Sequence, residues 1–227
     1  MVFTPESVLP FAERRALMVD SQLAARGIRD PAVLEAMRRV PRHLFVPETC
    51  VDEAYEDHPL SIGHGQTISQ PYMVALMTEL LQAGPSSRVL DVGTGSGYQA
   101  AVLGALGARV LSVEFVPALA ARAAALLARL GLDNVSVVCG DGSAPDFLEG
   151  EFDGILVAAA TDAVPGKLVR RLADGGRLLV PVGERHFQHL LLLERQGDRF
   201  AEQRLLGCVF VPLRGEGGLG GGEKDGE

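Results

Sequence analysis

Gly93, Gly95 and Gly97 alternate directly after the apolar run Arg88-Val89-Leu90-Asp91-Val92, and the next apolar run closes on a carboxylate, Glu114, 21 positions beyond Gly93. Alternating glycines let the backbone turn sharply and let a ligand come closer than a Cβ would permit. An acid at the end of the following strand stands where ribose hydroxyls need an acceptor, so the spacing predicts a βαβ nucleotide pocket. The third glycine of a dinucleotide fingerprint would fall at position 98, where this chain has Tyr98. Asp91 sets a negative charge at the loop, which attracts a sulfonium or ammonium and repels a pyrophosphate. No Gly-Lys-Ser/Thr follows, so a phosphate-cradling P-loop is excluded. The loop therefore favours S-adenosylmethionine, with a divergent dinucleotide site or a ligand-free glycine turn as the other readings.

Two further segments carry candidate chemistry. Gly140-Asp141-Gly142 follows the third apolar run. Alone it reads as a turn; in register with Asp91 and Glu114, its carboxylate is placed to accept from an adenine amino group. The loop Ile62-Gly63-His64-Gly65-Gln66-Thr67-Ile68-Ser69-Gln70-Pro71 gathers several donors just ahead of the glycine strand. By residue physics alone Ser69 reads as the cap of a helix that Pro71 begins, and His64 as a surface residue. The same donors would also suit an anionic substrate. After the fourth strand the chain has Ala158-Ala159-Ala160-Thr161. Nothing there is equipped to orient a neutral nitrogen. A carboxylate nucleophile would need no such help, because it is already ionised at neutral pH and its alkylation depends on alignment and desolvation.

The elements that must position these groups follow from periodicity. Apolar runs at Arg88–Val92, Arg109–Val113, Val135–Cys139, Phe152–Val157 and Arg177–Val182 alternate with helical segments, the rhythm of a parallel sheet covered on both faces. His189–Glu194 and Gln203–Phe210 flank a polar turn and predict an antiparallel edge hairpin. Upstream, Phe11–Arg26 and Ala32–Arg39 predict helices of a cap, residues 57–70 a loop, and Pro71–Gln82 a helix. The domain expectation is a helical cap with the substrate loop over residues 1–82, a catalytic domain over 83–213, and a disordered glycine-rich tail over 214–227.

Composition narrows the class. With 227 residues, 47% hydrophobic and 22% charged, the chain suffices for a substantial core. A net charge of −8 argues against nucleic acid as partner. Cys50, Cys139 and Cys208 are too few and too scattered for a disulfide framework or a zinc cluster, the five histidines lack metal-ligand spacing, and no membrane span or export signal is evident. A metal-free, monomeric, cytoplasmic protein is expected.

Three stretches then carry a specific resemblance: Val40-Pro41-Arg42-His43-Leu44-Phe45-Val46-Pro47, Gly65-Gln66-Thr67-Ile68-Ser69-Gln70-Pro71-Tyr72, and Asp91 to Ala101. From about Met18 to Leu213 the chain resembles the protein-L-isoaspartate (D-aspartate) O-methyltransferases. The resemblance implies a Rossmann-like class I methyltransferase fold with a mostly parallel seven-stranded sheet. It implies methyl transfer from S-adenosylmethionine to the free α-carboxylate of L-isoaspartyl residues in damaged proteins, with D-aspartyl side chains as a second candidate substrate. S-adenosylhomocysteine leaves, and the ester returns through a succinimide towards aspartate. Carried over by position, Ser69 is the active-site serine, a donor to the carboxylate and not a covalent nucleophile. Thr67, Ile68 and, at the end of the fifth strand, Val182 would contact the peptide. Asp91, Gly93, Thr94, Gly95 and Gly97 form the methionine-side loop, Glu114 the ribose acid, and Asp141 with Gly142 the adenine end. The competing readings are a class I methyltransferase for a small molecule or RNA, a non-catalytic cofactor-binding module, and an NAD-linked oxidoreductase.

Overall fold

The computed structural model describes residues 10–144 and 149–218. Its centre is a seven-stranded sheet with strand order β5-β4-β3-β6-β7-β8-β9. The strands are β3 (Arg88–Val92), β4 (Arg109–Glu114), β5 (Val135–Cys139), β6 (Phe152–Val157), β7 (Leu172–Glu184), β8 (Phe187–Gln196) and β9 (Arg199–Cys208). The first five pair in parallel, and the last two add an antiparallel meander. β7 begins five residues earlier than its hydrophobic pattern indicates. The expected turn at Asp174-Gly175-Gly176 is absorbed as a register shift against β6.

Helices α3 (Pro71–Leu81), α4 (Tyr98–Ala105), α5 (Pro117–Arg129) and the short α6 (Gly166–Val169) cover the sheet. Proline opens α3 and α5, where its missing N–H costs nothing. The amino-terminal cap starts with α1 (Phe11–Leu17), which continues as a π-helical turn over Met18–Leu23 and a 3₁₀ turn over Ala24–Arg26 before α2 (Pro31–Arg39). The single long helix expected there is thus one run with a π segment. Asp30 caps α2, accepting from Ala32 N–H at 2.8 Å.

The cap shares an apolar core with the helices that cover one face of the sheet. Met18, Leu23, Val33 and Met37 of the cap are buried with Tyr98, Val102, Leu119 and Leu127 of the helical layer. Tyr98 explains how a large residue stands where a dinucleotide fold would need glycine. Its ring is 1% exposed, turned into the cap, edge-on to Phe45 at 5.4 Å and beneath the Arg42 guanidinium at 4.8 Å.

Residues 57–70 are not wholly a loop. They contain a two-stranded hairpin, β1 (Leu60–Gly63) with β2 (Gln66–Ile68), whose tip residues Gly63, His64 and Gly65 all have positive φ. Of the expected glycine-rich tail, residues 214–218 are described: Glu216 N–H donates to Asp141 Oδ2 and Gly217 N–H to Ser143 Oγ. Residues 219–227 lie outside the described part of the chain.

Candidate active site

The glycine loop sits between the carboxyl ends of β3 and β4 because both strands stop there in register, Val92 opposite Val113. Gly93 N–H donates to Val113 O and so ties the turn to the neighbouring strand. Glu114 closes the far side. Its Oε2 accepts from Gly95 N–H at 2.7 Å and its Oε1 from Val116 N–H at 2.9 Å, which sets the carboxylate across the loop while each oxygen keeps a lone pair. The cleft between them is lined by Gly93, Gly95, Glu114, Phe115, Gly142, Ala158, Val211, Pro212, Leu213 and neighbours. Gly142 is required on packing grounds, since a Cβ there would lie 2.6 Å from Val92 Cγ1.

Not every residue named from sequence faces this cleft. Asp91 is fully buried beneath the loop. Its Oδ2 accepts from Ser112 Oγ at 2.6 Å, and Thr94 Oγ1 lies 2.5 Å from the same Ser112 oxygen, so Thr94 braces the loop from below. Burial, with Glu114 adding repulsion and the Ser112 hydrogen bond opposing, pushes Asp91 up to about 7. Gly97 stands at the amino end of α4. Asp141 is beside the cleft and engaged with its own surroundings. Ser143 donates to Oδ1 from N–H (2.8 Å) and from Oγ (2.6 Å). Burial opposes its charge, but these bonds and the Glu216 N–H prevail and hold its carboxyl below the usual range.

A second cleft opens next to the first, lined by Thr67, Ser69, Gln70, Tyr72, Met73, Ala158 and the run Leu206–Val211. Thr67, Ala158 and Val211 line both, so the two clefts meet there. Ser69 does not cap α3. Its hydroxyl has no hydrogen-bond partner among the described residues, and the first-turn N–H of Tyr72 is taken by Asp57 Oδ1 at 3.2 Å. Strand alternation separates the neighbouring pair: Thr67 faces outward, whereas Ile68 is 3% exposed and packs into the core, so its side chain does not line the cleft. Val182 stands apart as well, in a groove with Phe187, His189, Glu202 and Arg204.

Sequence reasoning missed two contributors. Phe115, 46% exposed, is a bare aromatic face at the cleft beside Glu114. Its signal was an aromatic directly after the carboxylate that closes the second strand. Val211–Leu213 form a wall of the first cleft, and Val211 lines the second as well, because Ala160 N–H donates to Val211 O and Leu213 N–H to Ala160 O, each at 2.8 Å. No local pattern marks them; they arrive only when the end of the chain folds back beside β6.

The residues present fit S-adenosylmethionine. A buried carboxylate underlies the loop, a second acid with free lone pairs stands at the end of the next strand, an aromatic face flanks it, and a glycine keeps the floor open. At the junction of the clefts the side chains are those of Thr67, Ala158 and Val211, so no side-chain base stands there.

Known proteins are similar to this chain over most of its length. Residues 13–218 match the family model described as protein-L-isoaspartate(D-aspartate) O-methyltransferase. The protein-L-isoaspartate O-methyltransferase of Methanoregula boonei is 54% identical over 209 residues, 92% of this chain and 96% of that one. Protein-L-isoaspartate O-methyltransferase 2 of Shewanella sediminis is 49% identical over 215 residues, 94% of this chain and 88% of its own. Among solved structures, a Plasmodium falciparum protein-L-isoaspartate O-methyltransferase in complex with S-adenosyl-L-homocysteine superposes with a TM-score of 0.76 at 29% identity, covering 88% of this chain and 98% of that one.

Proposed function

The chain belongs to the protein-L-isoaspartate(D-aspartate) O-methyltransferase family, and we propose that the cleft at Ser69 holds the substrate carboxylate while the glycine loop, Glu114 and the Asp141-Gly142 turn hold the cofactor. The enzyme moves a methyl group from S-adenosylmethionine to the free α-carboxylate of L-isoaspartyl residues in damaged proteins, and the resulting ester returns through a succinimide towards aspartate. The observation that carries the site assignment is the meeting of the two clefts at Thr67, Ala158 and Val211.

When bound, S-adenosylmethionine supplies an electrophilic methyl group on a sulfonium. The chain's own part is binding, alignment and exclusion of water. Gly93, Gly95 and Gly97 form the turn at the methionine side, with Asp91 and Thr94 supporting it from below. Glu114 would hold the ribose hydroxyls with its remaining lone pairs, and Phe115 with Asp141 and Gly142 would hold the adenine. In the adjoining cleft Ser69 O–H donates to one carboxylate oxygen and leaves the other directed towards the junction. Thr67 and the backbone of Ile68 form one wall. The small, apolar Ala158 needs no basic neighbour because the nucleophile arrives ionised, and desolvation there raises its reactivity. Flanking substrate residues extend towards the groove at Val182. Three free thiols at Cys50, Cys139 and Cys208 support a reducing, cytoplasmic setting.

The test is methyl transfer from labelled cofactor to an isoaspartyl peptide and to its aspartyl twin. Label enters the first alone; equal labelling of both, or of neither, would overturn the assignment. Substituting Ser69→Ala removes one hydrogen bond to a charged group, worth about 1.5–3 kcal/mol, so kcat/KM for the isoaspartyl peptide falls roughly 10- to 100-fold. The dissociation constant for S-adenosylhomocysteine stays within about twofold, because Ser69 lines only the second cleft. Parallel loss of cofactor affinity would move Ser69 out of the substrate role.

A further inference from the structure

The hydroxyl of Ser69 has no hydrogen-bond partner among the described residues, and the helix behind it takes its first-turn acceptor from another residue. That residue is Asp57, 12 positions upstream and ahead of the β1–β2 hairpin. Its Oδ1 accepts from Tyr72 N–H at 3.2 Å, in the first turn of α3, and its Oδ2 accepts from Gln70 Nε2 at 3.4 Å. Oδ2 also pairs with the Arg26 guanidinium. Arg26 ends the first helical run of the cap and lies 3.8 Å from the centre of the Tyr72 ring. Gln70 and Tyr72 both line the Ser69 cleft. Further along α3, Glu79 Oε1 accepts from Arg29 N–H (2.6 Å) and Asp30 N–H (2.7 Å), so the segment 26–30 grips the helix at two levels.

We infer that Asp57 is a positioning residue for methyl transfer: it clamps Gln70 and Tyr72 to the amino-terminal cap and so fixes the direction of the Ser69 hydroxyl immediately before them. Two residues of the substrate cleft are held by one carboxylate, and the cofactor cleft has no contact with it. Loss of the clamp therefore acts on substrate alignment, to which in-line transfer is steeply sensitive: a displacement of about 1 Å can cost a hundredfold in rate. The Arg26 pair adds little by itself, since Arg26 is 44% exposed. The Tyr72 acceptor carries most of the effect.

The inference rests on the Ser69 assignment, and the experiment separates the two. In Asp57→Ala, kcat/KM for the isoaspartyl peptide falls about tenfold or more, while S-adenosylhomocysteine affinity stays within about twofold. Asp57→Asn keeps an oxygen for Tyr72 N–H and restores most of the activity; Arg26→Met stays within about threefold of the parent. Amide hydrogen exchange, read without any substrate, speeds up over residues 66–72 in Asp57→Ala and not across β3 or β4. Unchanged exchange over 66–72, unchanged kcat/KM in the folded Asp57→Ala protein, or a matching fall in cofactor affinity would each overturn the positioning role. Faster exchange combined with a fully active Ser69→Ala protein would instead locate the error in the Ser69 assignment.

Discussion

Replacing Glu114 with Gln weakens S-adenosylhomocysteine binding by at least about a hundredfold. The carboxylate presents two acceptor oxygens to two backbone donors, Gly95 N–H and Val116 N–H. An amide has one oxygen and an NH₂ group, so one of those donors would face another donor. Glu114 is 5% exposed, and solvent does little to soften that conflict. The glycine loop loses its tie to the end of β4, and the ribose hydroxyls lose half of their acceptor. Hydrogen bonds to a charged group are worth about 1.5–3 kcal/mol each, and losing two of them corresponds to roughly 10²- to 10⁴-fold in affinity. Calorimetric titration with S-adenosylhomocysteine checks this directly. A dissociation constant within threefold of the parent's would remove Glu114 from the site. Thermal stability separates this outcome from general damage, because the β3–β4 pairing does not use the Glu114 side chain.

The second large effect concerns Asp91 and pH. In the unfolded chain its carboxyl titrates near the ordinary value of 3.8; in the fold it is pushed up to about 7, first by burial and then by the charge of Glu114, against the Ser112 hydrogen bond. The folded form thus binds the proton more tightly than the unfolded one. The contribution of this group to stability is complete below about pH 4, declines as pH rises, and is gone once the pH passes about 7. At about 1.4 kcal/mol per unit, the span from 3.8 to about 7 amounts to about 4 kcal/mol at most. Asp91→Asn removes the titration and keeps an acceptor for Ser112 Oγ. Denaturant unfolding at pH 5, 6, 7 and 8 then shows a steeper loss of stability for the parent than for the variant. Coincident pH profiles would mean that Asp91 titrates normally in the fold.

The cofactor half of the molecule was legible from local signals. Five apolar runs, the alternating glycines and an acid at the next strand end are properties of short segments, and each was found within a few residues of its expected place. Strand order was legible in part: the parallel rhythm predicts a covered sheet, and the last two strands predict an edge hairpin, which β8 and β9 form. The substrate half was less legible for a specific reason. A serine next to a helix start reads as a cap, but Ser69 precedes the N-cap Gln70, and the first-turn donor of α3 goes to Asp57 from outside the helix. Thr67 and Ile68 looked equivalent in a loop. As members of β2 they alternate, and one goes to the cleft and the other to the core.

Sequence by itself determined which backbone could approach a nucleotide, because glycine's lack of a Cβ and a strand's hydrophobic run act within a few residues. It also determined, through the resemblance, which reaction to expect. Only the tertiary structure decided what stands where the two clefts meet. Val211 and Ala158 are 53 positions apart in the chain and carry no chemical signal, yet both line the two clefts where these meet. Asp57 and Arg26, 31 positions apart, join in one clamp behind Ser69. Such contacts depend on how layers pack, and the free energy that selects them comes from the core shared by the cap and the helical layer and from no segment alone.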